Sequence, residues 1–396
     1  MPTLDSLRQL QLRVPVNAAG CQPPERSGIE TVGHLSAVQH SFGSPASERP
    51  HRGTPVKLRP AGSPLSASVT TLPKYPLAIA AAVAVLGIAA LVNRSLAKTA
   101  ERENSPTGKF VTVDGVRLHY VDRGSGEPIV LLHGNGSMIQ DFVSSGLIEM
   151  ASQKHRVIAF DRPGFGHSGR PRGTIWTPEA QADLIQRALK QIGITRAKVL
   201  GHSWGASVAV ALALKHPETV AGLILASGYY YPTPRADVLM LSGPAFPVAG
   251  DILSHTISPI LGRLLWPLIM RKIFGPAKVP AKFQSFPKEM ALRPSQIRAS
   301  AAETALMVPS AFALRGKYKS LTMPVVIIAG EQDRLIDIDA QSARLHQEIT
   351  QSKFRRVMNA GHMVHQTATT LVMTAIDEVG QLSENESHDT VSRTAA

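Results

Sequence analysis

The chain has 396 residues, 43% of them hydrophobic and 18% charged, a globular composition that excludes wholesale disorder. Its single cysteine excludes a disulfide framework and a cysteine-built zinc site. A net charge of +13 raises nucleic acid and anionic lipid as partners, but only 5% of residues are aromatic and they do not interleave with basic ones, which argues against a nucleic-acid groove. The charge is also local. Residues 1–74 hold eight Lys/Arg against four Asp/Glu, residues 232–320 hold twelve against four, and the rest is nearly neutral.

Residues 1–74 mix Pro, Gly, Ser and Arg without a period of 3.6 or 2, so they read as a disordered basic tail. Cys21 belongs to this tail. The Ala18-Ala19-Gly20 before it lacks the apolar run that a lipoprotein signal needs, and Arg8 and Arg13 stand in its place. Pro76 to Val92 is seventeen residues without a charge. At about 1.5 Å rise per residue such a helix covers roughly 25 Å, close to a bilayer core. Lys74 and Tyr75 flank one end, Asn93 and Arg94 the other, as interfacial anchors do. Residues 75–94 are therefore read as a membrane anchor. A signal core cut near Ser95-Leu96-Ala97 and a soluble helix are the other readings. The basic tail favours a cytoplasmic N-terminus, with everything after Arg94 across the membrane. Residues 95–109 read as a linker.

From Phe110 the pattern changes. Phe110–Val113 and Val116–Val121 flank Asp114-Gly115, a hairpin signal. Apolar runs typical of buried parallel strands follow at Pro128–Leu132, Val157–Phe160, Lys198–Leu200, Leu223–Ala226 and Val325–Ala329. Helical patterns at Thr177–Ile192, Ala206–Lys215 and Ile338–Gln347 lie between them, and a short strand-like run occupies Phe354–Val357. Alternation of this kind predicts a mostly parallel sheet with helices on both faces. It fails over residues 231–320, where eleven prolines mark a helical insertion broken into short pieces. The domain thus divides into core at 110–230, cap at 231–320 and core at 321–381, with a disordered tail at 382–396.

Gly201-His202-Ser203-Trp204-Gly205 joins a strand to a helix. A nucleophile on so tight a turn needs small neighbours, and the turn leaves the Trp204 N–H at a helix N-terminus, facing a developing oxyanion. His133-Gly134-Asn135-Gly136 ends the strand at 128–132, where the Asn135 N–H supplies a second oxyanion donor. A serine hydroxyl needs a histidine base, and that histidine needs a carboxylate to fix its tautomer. Asp333, after the strand at 325–329, and His362, after the run at 354–357, meet that need in the order Ser–Asp–His. Each sits beyond the C-terminal end of a strand, where open α/β sheets build their sites. Glu331, Asp337 and His365 are the nearest substitutes. Asp337 and Asp339 fit a helix start, and His365 falls one turn into a helix, where it packs or caps. Asp161–Ser168 reads as a structural turn.

On these motifs the chain resembles the α/β-hydrolase fold family from about Phe110 to Gln381. The resemblance implies Ser203 as nucleophile, His362 as base, Asp333 as acid, Asn135 and Trp204 as main-chain oxyanion donors, and a substrate-selecting cap over 231–320. The nucleophile turn is similar to the G-H-D-W-G-A of the haloalkane dehalogenase and epoxide hydrolase branch, and His133-Gly134-Asn135 matches the dehalogenases. Ser203 departs from that branch at the decisive position. Those two chemistries need a carboxylate whose alkyl ester water can cleave, whereas serine would leave an inert ether. Serine points to acyl transfer: a membrane-anchored carboxylesterase or lipase acting on small hydrophobic acyl substrates. A carbon–carbon hydrolase or cofactor-free haloperoxidase with the same triad is the alternative, and a small-ligand binding protein a further one. The histidines lack metal-ligand spacing and the glycine-rich loops fit hydrolase turns, so no metal, cofactor or nucleic acid is expected. Ile257–Phe274, apolar with Arg263, Arg271 and Lys272, fits either a wall of the substrate tunnel or a surface resting on anionic headgroups. Pro259, Pro267 and Pro276 argue against one continuous helix there.

Overall fold

The computed structural model describes Tyr75–Thr394, with side chains as far as Leu382. The expected tail at 1–74, Cys21 included, lies outside these residues.

Helix α1 (Tyr75–Glu103) is followed by an eight-stranded sheet: β1 (Lys109–Val113), β2 (Val116–Arg123), β3 (Pro128–Leu132), β4 (Arg156–Phe160), β5 (Ala197–His202), β6 (Val220–Ala226), β7 (Val325–Gly330) and β8 (Lys353–Val357). The spatial order is β1-β2-β4-β3-β5-β6-β7-β8. The β1–β2 hairpin is antiparallel, β2 joins β4 antiparallel, and the other pairs are parallel. The parallel strands β3 to β7 are buried on both faces, so they read as continuous apolar runs rather than alternating ones, while the edge strand β8 carries Lys353, Arg355 and Arg356 and is only partly buried.

Alternation appears in which helices each residue meets. Val130, Leu132, Val199, Leu223 and Leu225 share a core with α4 (Pro178–Gln191) and α5 (Trp204–Lys215). Ile129, Leu131, Leu200 and Ile224 pack with α2 (Ile139–Ser145), α3 (Leu147–Ala151) and α13 (Thr369–Thr394). The remaining helices are α6 (Ala236–Leu241), α7 (Ala249–His255), α8 (Ile257–Phe274), α9 (Lys288–Ala291), α10 (Pro294–Leu314), α11 (Arg344–Glu348) and α12 (Val364–Thr367). Helices α6 to α10 form the expected cap between β6 and β7.

Three expectations about element ends change. The helix at 75–94 runs through the expected linker to Glu103, because Ser95–Glu103 holds good helix formers and seats Ala100 in the cap's core. The backbone of α13 stays helical to Thr394, past the expected end of the domain at 381. The segment at 257–274 is one helix despite its prolines. Pro259 lies in the first turn, where no backbone donor is missed, and only Pro267 interrupts the ladder.

Candidate active site

The parallel register sets the C-terminal strand ends in one row: Leu132 lies opposite Gly201, Ala226 opposite Ile328, and Gly330 opposite Val357. Ser203, Asp333, His362 and the Asn135 loop follow from that edge.

Ser203 sits at φ 53° and ψ −120°, a left-handed conformation unusual for any residue but glycine. Its N–H donates to the Ala226 carbonyl at 2.9 Å, which pins the turn to the end of β6. The two glycines are sterically required. A Cβ on Gly201 would strike the Gly205 carbonyl, and one on Gly205 would strike the carbonyls of Leu132 and His133. Trp204 is the first residue of α5, so its N–H belongs to the set a helix leaves without an internal partner. Ser203 remains partly exposed among buried neighbours.

His362 Nδ1 lies 2.7 Å from Asp333 Oδ2, and both side chains are almost fully buried. Asp333 Oδ1 accepts the N–H groups of Leu335 at 2.7 Å and Ile336 at 3.0 Å, so one carboxylate oxygen is fixed by backbone and the other faces the imidazole. The histidine loop is held from two sides. His202 Nε2 donates to the His362 carbonyl at 3.1 Å, and the His362 N–H donates to the Ile273 carbonyl of α8 at 3.0 Å. His202 thus ties the residue before Ser203 to His362, their rings 5.0 Å apart. Of the substitutes, Glu331 is exposed, and Asp337 Oδ1 caps the following turn by accepting from Asp339 and Ala340.

The Asn135 side chain points to the cap: its Nδ2 donates to the Ser300 carbonyl at 3.1 Å and to Thr304 Oγ1 at 3.0 Å, both on α10. The same loop is gripped by Arg162, whose side chain is wholly buried. Arg162 donates to the carbonyls of His133 at 2.7 Å and Gly134 at 2.9 Å, to Gln181 Oε1 at 2.9 Å, and to both carboxylate oxygens of Glu303 on α10. The Asp161–Ser168 turn therefore has a structural part, with Asp161 accepting from His119, Ile139 and His167. His133 Nδ1 donates to the Gly134 carbonyl and its Nε2 accepts the Arg162 N–H, so burial, helped by the Arg162 charge, lowers its pKa to about 3.

Sequence reasoning missed a second buried group. The donor atoms of Asp141, His202 and His365 lie within 4.8 Å of one another, the composition of a metal site. Asp141 Oδ1 meets His365 Nε2 at 3.0 Å and Gln366 Nε2 at 2.8 Å, and Oδ2 accepts from Ser137 at 2.9 Å, so the carboxylate is satisfied by protein groups. His202 Nδ1 and His365 Nδ1, by contrast, are buried without a hydrogen-bond partner among the described residues. Burial works to raise the Asp141 pKa, but His365, His202 and Gln366 hold it well below the ordinary carboxylate value. Burial, reinforced by His365 and His362, keeps His202 neutral. No spacing rule links positions 141, 202 and 365; only the fold does.

A family model described as the α/β hydrolase fold matches residues 127–369. The chain is 33% identical over 150 residues to 2-hydroxymuconate semialdehyde hydrolase of Pseudomonas sp. strain CF600, covering 36% of this chain and 53% of the relative. It is 33% identical over 125 residues to haloalkane dehalogenase 2 of Mycobacterium tuberculosis, covering 32% and 42%. The chain thus spans about half the length of these curated relatives. Among solved structures, a bacterial membrane phospholipase A aligns with a TM-score of 0.55 at 20% identity, covering 77% of this chain and 96% of that one.

Proposed function

Because the chain belongs to the α/β-hydrolase fold family, we propose that it is a membrane-anchored serine hydrolase that cleaves hydrophobic carboxylic esters through an acyl-enzyme. The observation that carries this reading is the buried Asp333–His362 pair at 2.7 Å on the same strand-end row as Ser203 and its strained turn. Asp333 holds His362 with Nδ1 protonated, which leaves Nε2 as the base. Ser203 Oγ attacks the ester carbonyl carbon as its proton passes to His362 Nε2. Negative charge on the carbonyl oxygen is met by the N–H groups of Asn135 and Trp204. Collapse breaks the ester C–O bond, and His362 returns the proton to the departing alcohol. Water, deprotonated by the same nitrogen, then releases the acid and restores Ser203.

Serine rather than aspartate at position 203 separates this chemistry from that of the dehalogenase relative. The semialdehyde hydrolase relative, at 33% identity, favours carbon–carbon cleavage as the second reading. Helix α1 supports the anchor. None of its most apolar 18-residue window is buried against the protein, as expected of a segment that meets lipid. On the charge of residues 1–74, the N-terminus is cytoplasmic and the hydrolase domain lies across the membrane.

The test is a panel of 4-nitrophenyl esters of rising acyl length and a vinylogous dienoate ketone, assayed with the detergent-solubilised full chain and Ser203→Ala. Ester turnover that rises with acyl length and falls ~10⁴-fold in the variant supports the proposal. Cleavage of the ketone alone supports the second reading. Turnover of neither by folded protein rejects both.

A further inference from the structure

The outer face of the cap holds more exposed apolar surface than a water-facing helix carries. On α8, Ile257, Ile260, Leu261, Leu264, Leu265 and Leu268 follow i, i+3, i+4 spacing and point outward, with Leu264 70% exposed. The stripe ends in exposed Arg271 and Lys272. Its reverse side, Pro259, Met270 and Phe274, is buried. The leucines therefore do not line a tunnel beneath the cap. Nearby, Leu239 is 82% and Met240 81% exposed, and Phe246 and Val248 are also bare. Apolar patches of this size mark a partner or a membrane.

What identifies the partner is where α1 leaves its apolar run. Asn93, the first residue after that run, is buried and donates through Nδ2 to the His255 carbonyl at 3.0 Å and the Thr256 carbonyl at 2.8 Å. Its Oδ1 accepts from Arg263 of α8 at 2.8 Å. The corner between α7 and α8 is thus fastened to the residue at which a membrane span must end. A cleft of about 830 Å³ opens beside this corner. Arg117, Arg170, Arg172, Arg293 and Arg298 line it. Arg293 is paired with Glu101 of α1, Arg172 and Arg298 with Asp251, and Arg170 lies 3.8 Å from Glu303. Among the described residues, the free positive charge beside the apolar face is therefore that of the exposed Arg271 and Lys272.

We propose that the outward face of α6 to α8 is a second membrane contact: its leucines enter the headgroup–acyl boundary of the leaflet that α1 leaves, and Arg271 and Lys272 at the end of the stripe meet anionic headgroups. The proposal rests on the reading of α1 as a membrane span. Because α8 also accepts the His362 N–H through Ile273, one rigid element then runs from the lipid boundary to the loop of the proposed base.

The experiment uses the full chain with Cys21→Ser, reconstituted in phosphatidylcholine–phosphatidylglycerol vesicles. Single substitutions Val83→Cys, Leu239→Cys, Leu264→Cys and Thr195→Cys each carry an environment-sensitive fluorophore, and quenchers sit at shallow or deep positions on lipid chains. Thr195 is exposed at the opposite end of the sheet and serves as the aqueous control. Each variant is first required to match the parent's thermal midpoint. Shallow quenching at 239 and 264, deep quenching at 83 and none at 195 is the expected pattern. Deep quenching at 83 without quenching at 239 and 264 overturns the proposal and leaves the anchor standing. Absence of lipid quenching at all positions overturns both. Concentration-dependent shielding of 239 and 264 without lipid quenching assigns the face to a second copy of the chain and also overturns the proposal.

Discussion

Ser203 and Glu303 illustrate two ways in which one residue commits the fold. At Ser203 the backbone is held at φ 53° by packing that admits no Cβ on Gly201 or Gly205. Gly205→Ala should therefore move the turn out of place. The measurement is the rate of fluorophosphonate labelling, expected to fall at least tenfold while far-ultraviolet dichroism is retained. Glu303 answers the charge of Arg162 where both side chains are wholly buried. Glu303→Ala strands that guanidinium, and removing one partner of a buried pair costs about 3–5 kcal/mol. Urea unfolding should record the loss, and Glu303→Gln, which keeps an acceptor, should lose less. His133 sets a pH dependence. Its folded pKa of about 3 lies below the ordinary 6.5, so the unfolded chain takes up a proton that the native state refuses. Its contribution is complete above about 6.5 and is lost as pH falls toward 3. His202, also held neutral, adds to the same slope. The unfolding free energy should decline across that window, and His133→Asn should flatten the decline by about one proton's worth.

Among elements, strands were the most legible in the sequence. The inner parallel strands β3 to β7 were visible as apolar runs, because burial on both faces leaves little room for other residue types, whereas the edge strand β8, with Lys353, Arg355 and Arg356, was only strand-like. The Ser203 turn and the Asp333 and His362 loops were legible for a related reason: the proposed chemistry needs a residue type directly after a strand. The cap was visible only as a break in the alternation. Its prolines suggested fragments, yet α8 runs unbroken from Ile257 to Phe274, because packing of Met270 and Phe274 outweighs one lost hydrogen bond at Pro267. The Arg162–Glu303 pair and the Asp141, His202 and His365 cluster were invisible, since their members lie far apart along the chain and only strand order unites them. The Asn135 bonds to Ser300 and Thr304 join the proposed oxyanion loop to α10 in the same hidden way.

For the molecule as a whole, the joint between α1 and the cap is the feature that composition could not disclose. A linker of free chain would have let the hydrolase domain swing relative to α1. Instead α1 continues to Glu103 and is fixed at Asn93 to the α7–α8 corner, and at Glu101 to Arg293 at 2.7 Å. Asn93→Ala removes three hydrogen bonds at that joint and leaves the two carbonyls without that donor, while Arg263 keeps Glu289. The expected cost is about 1–3 kcal/mol, seen as faster hydrogen exchange at residues 249–263 with the sheet unchanged. A variant that exchanged as slowly as the parent would mean the joint is held elsewhere. The charge distribution also takes shape at this scale. Arg293 and Arg298 of the basic stretch 232–320 meet Arg117, Arg170 and Arg172 of the core around one cleft beside α1, which sequence order alone would not reveal.

The most direct measurement is intact-mass analysis of the full-length chain after treatment with a fluorophosphonate, with Ser203→Ala and Asp333→Asn in parallel. One adduct per chain, absent in Ser203→Ala and formed far more slowly in Asp333→Asn, is the result that an activated Ser203 requires. An unmodified parent chain of native fold, or an adduct that persists in Ser203→Ala, would contradict serine catalysis at this site.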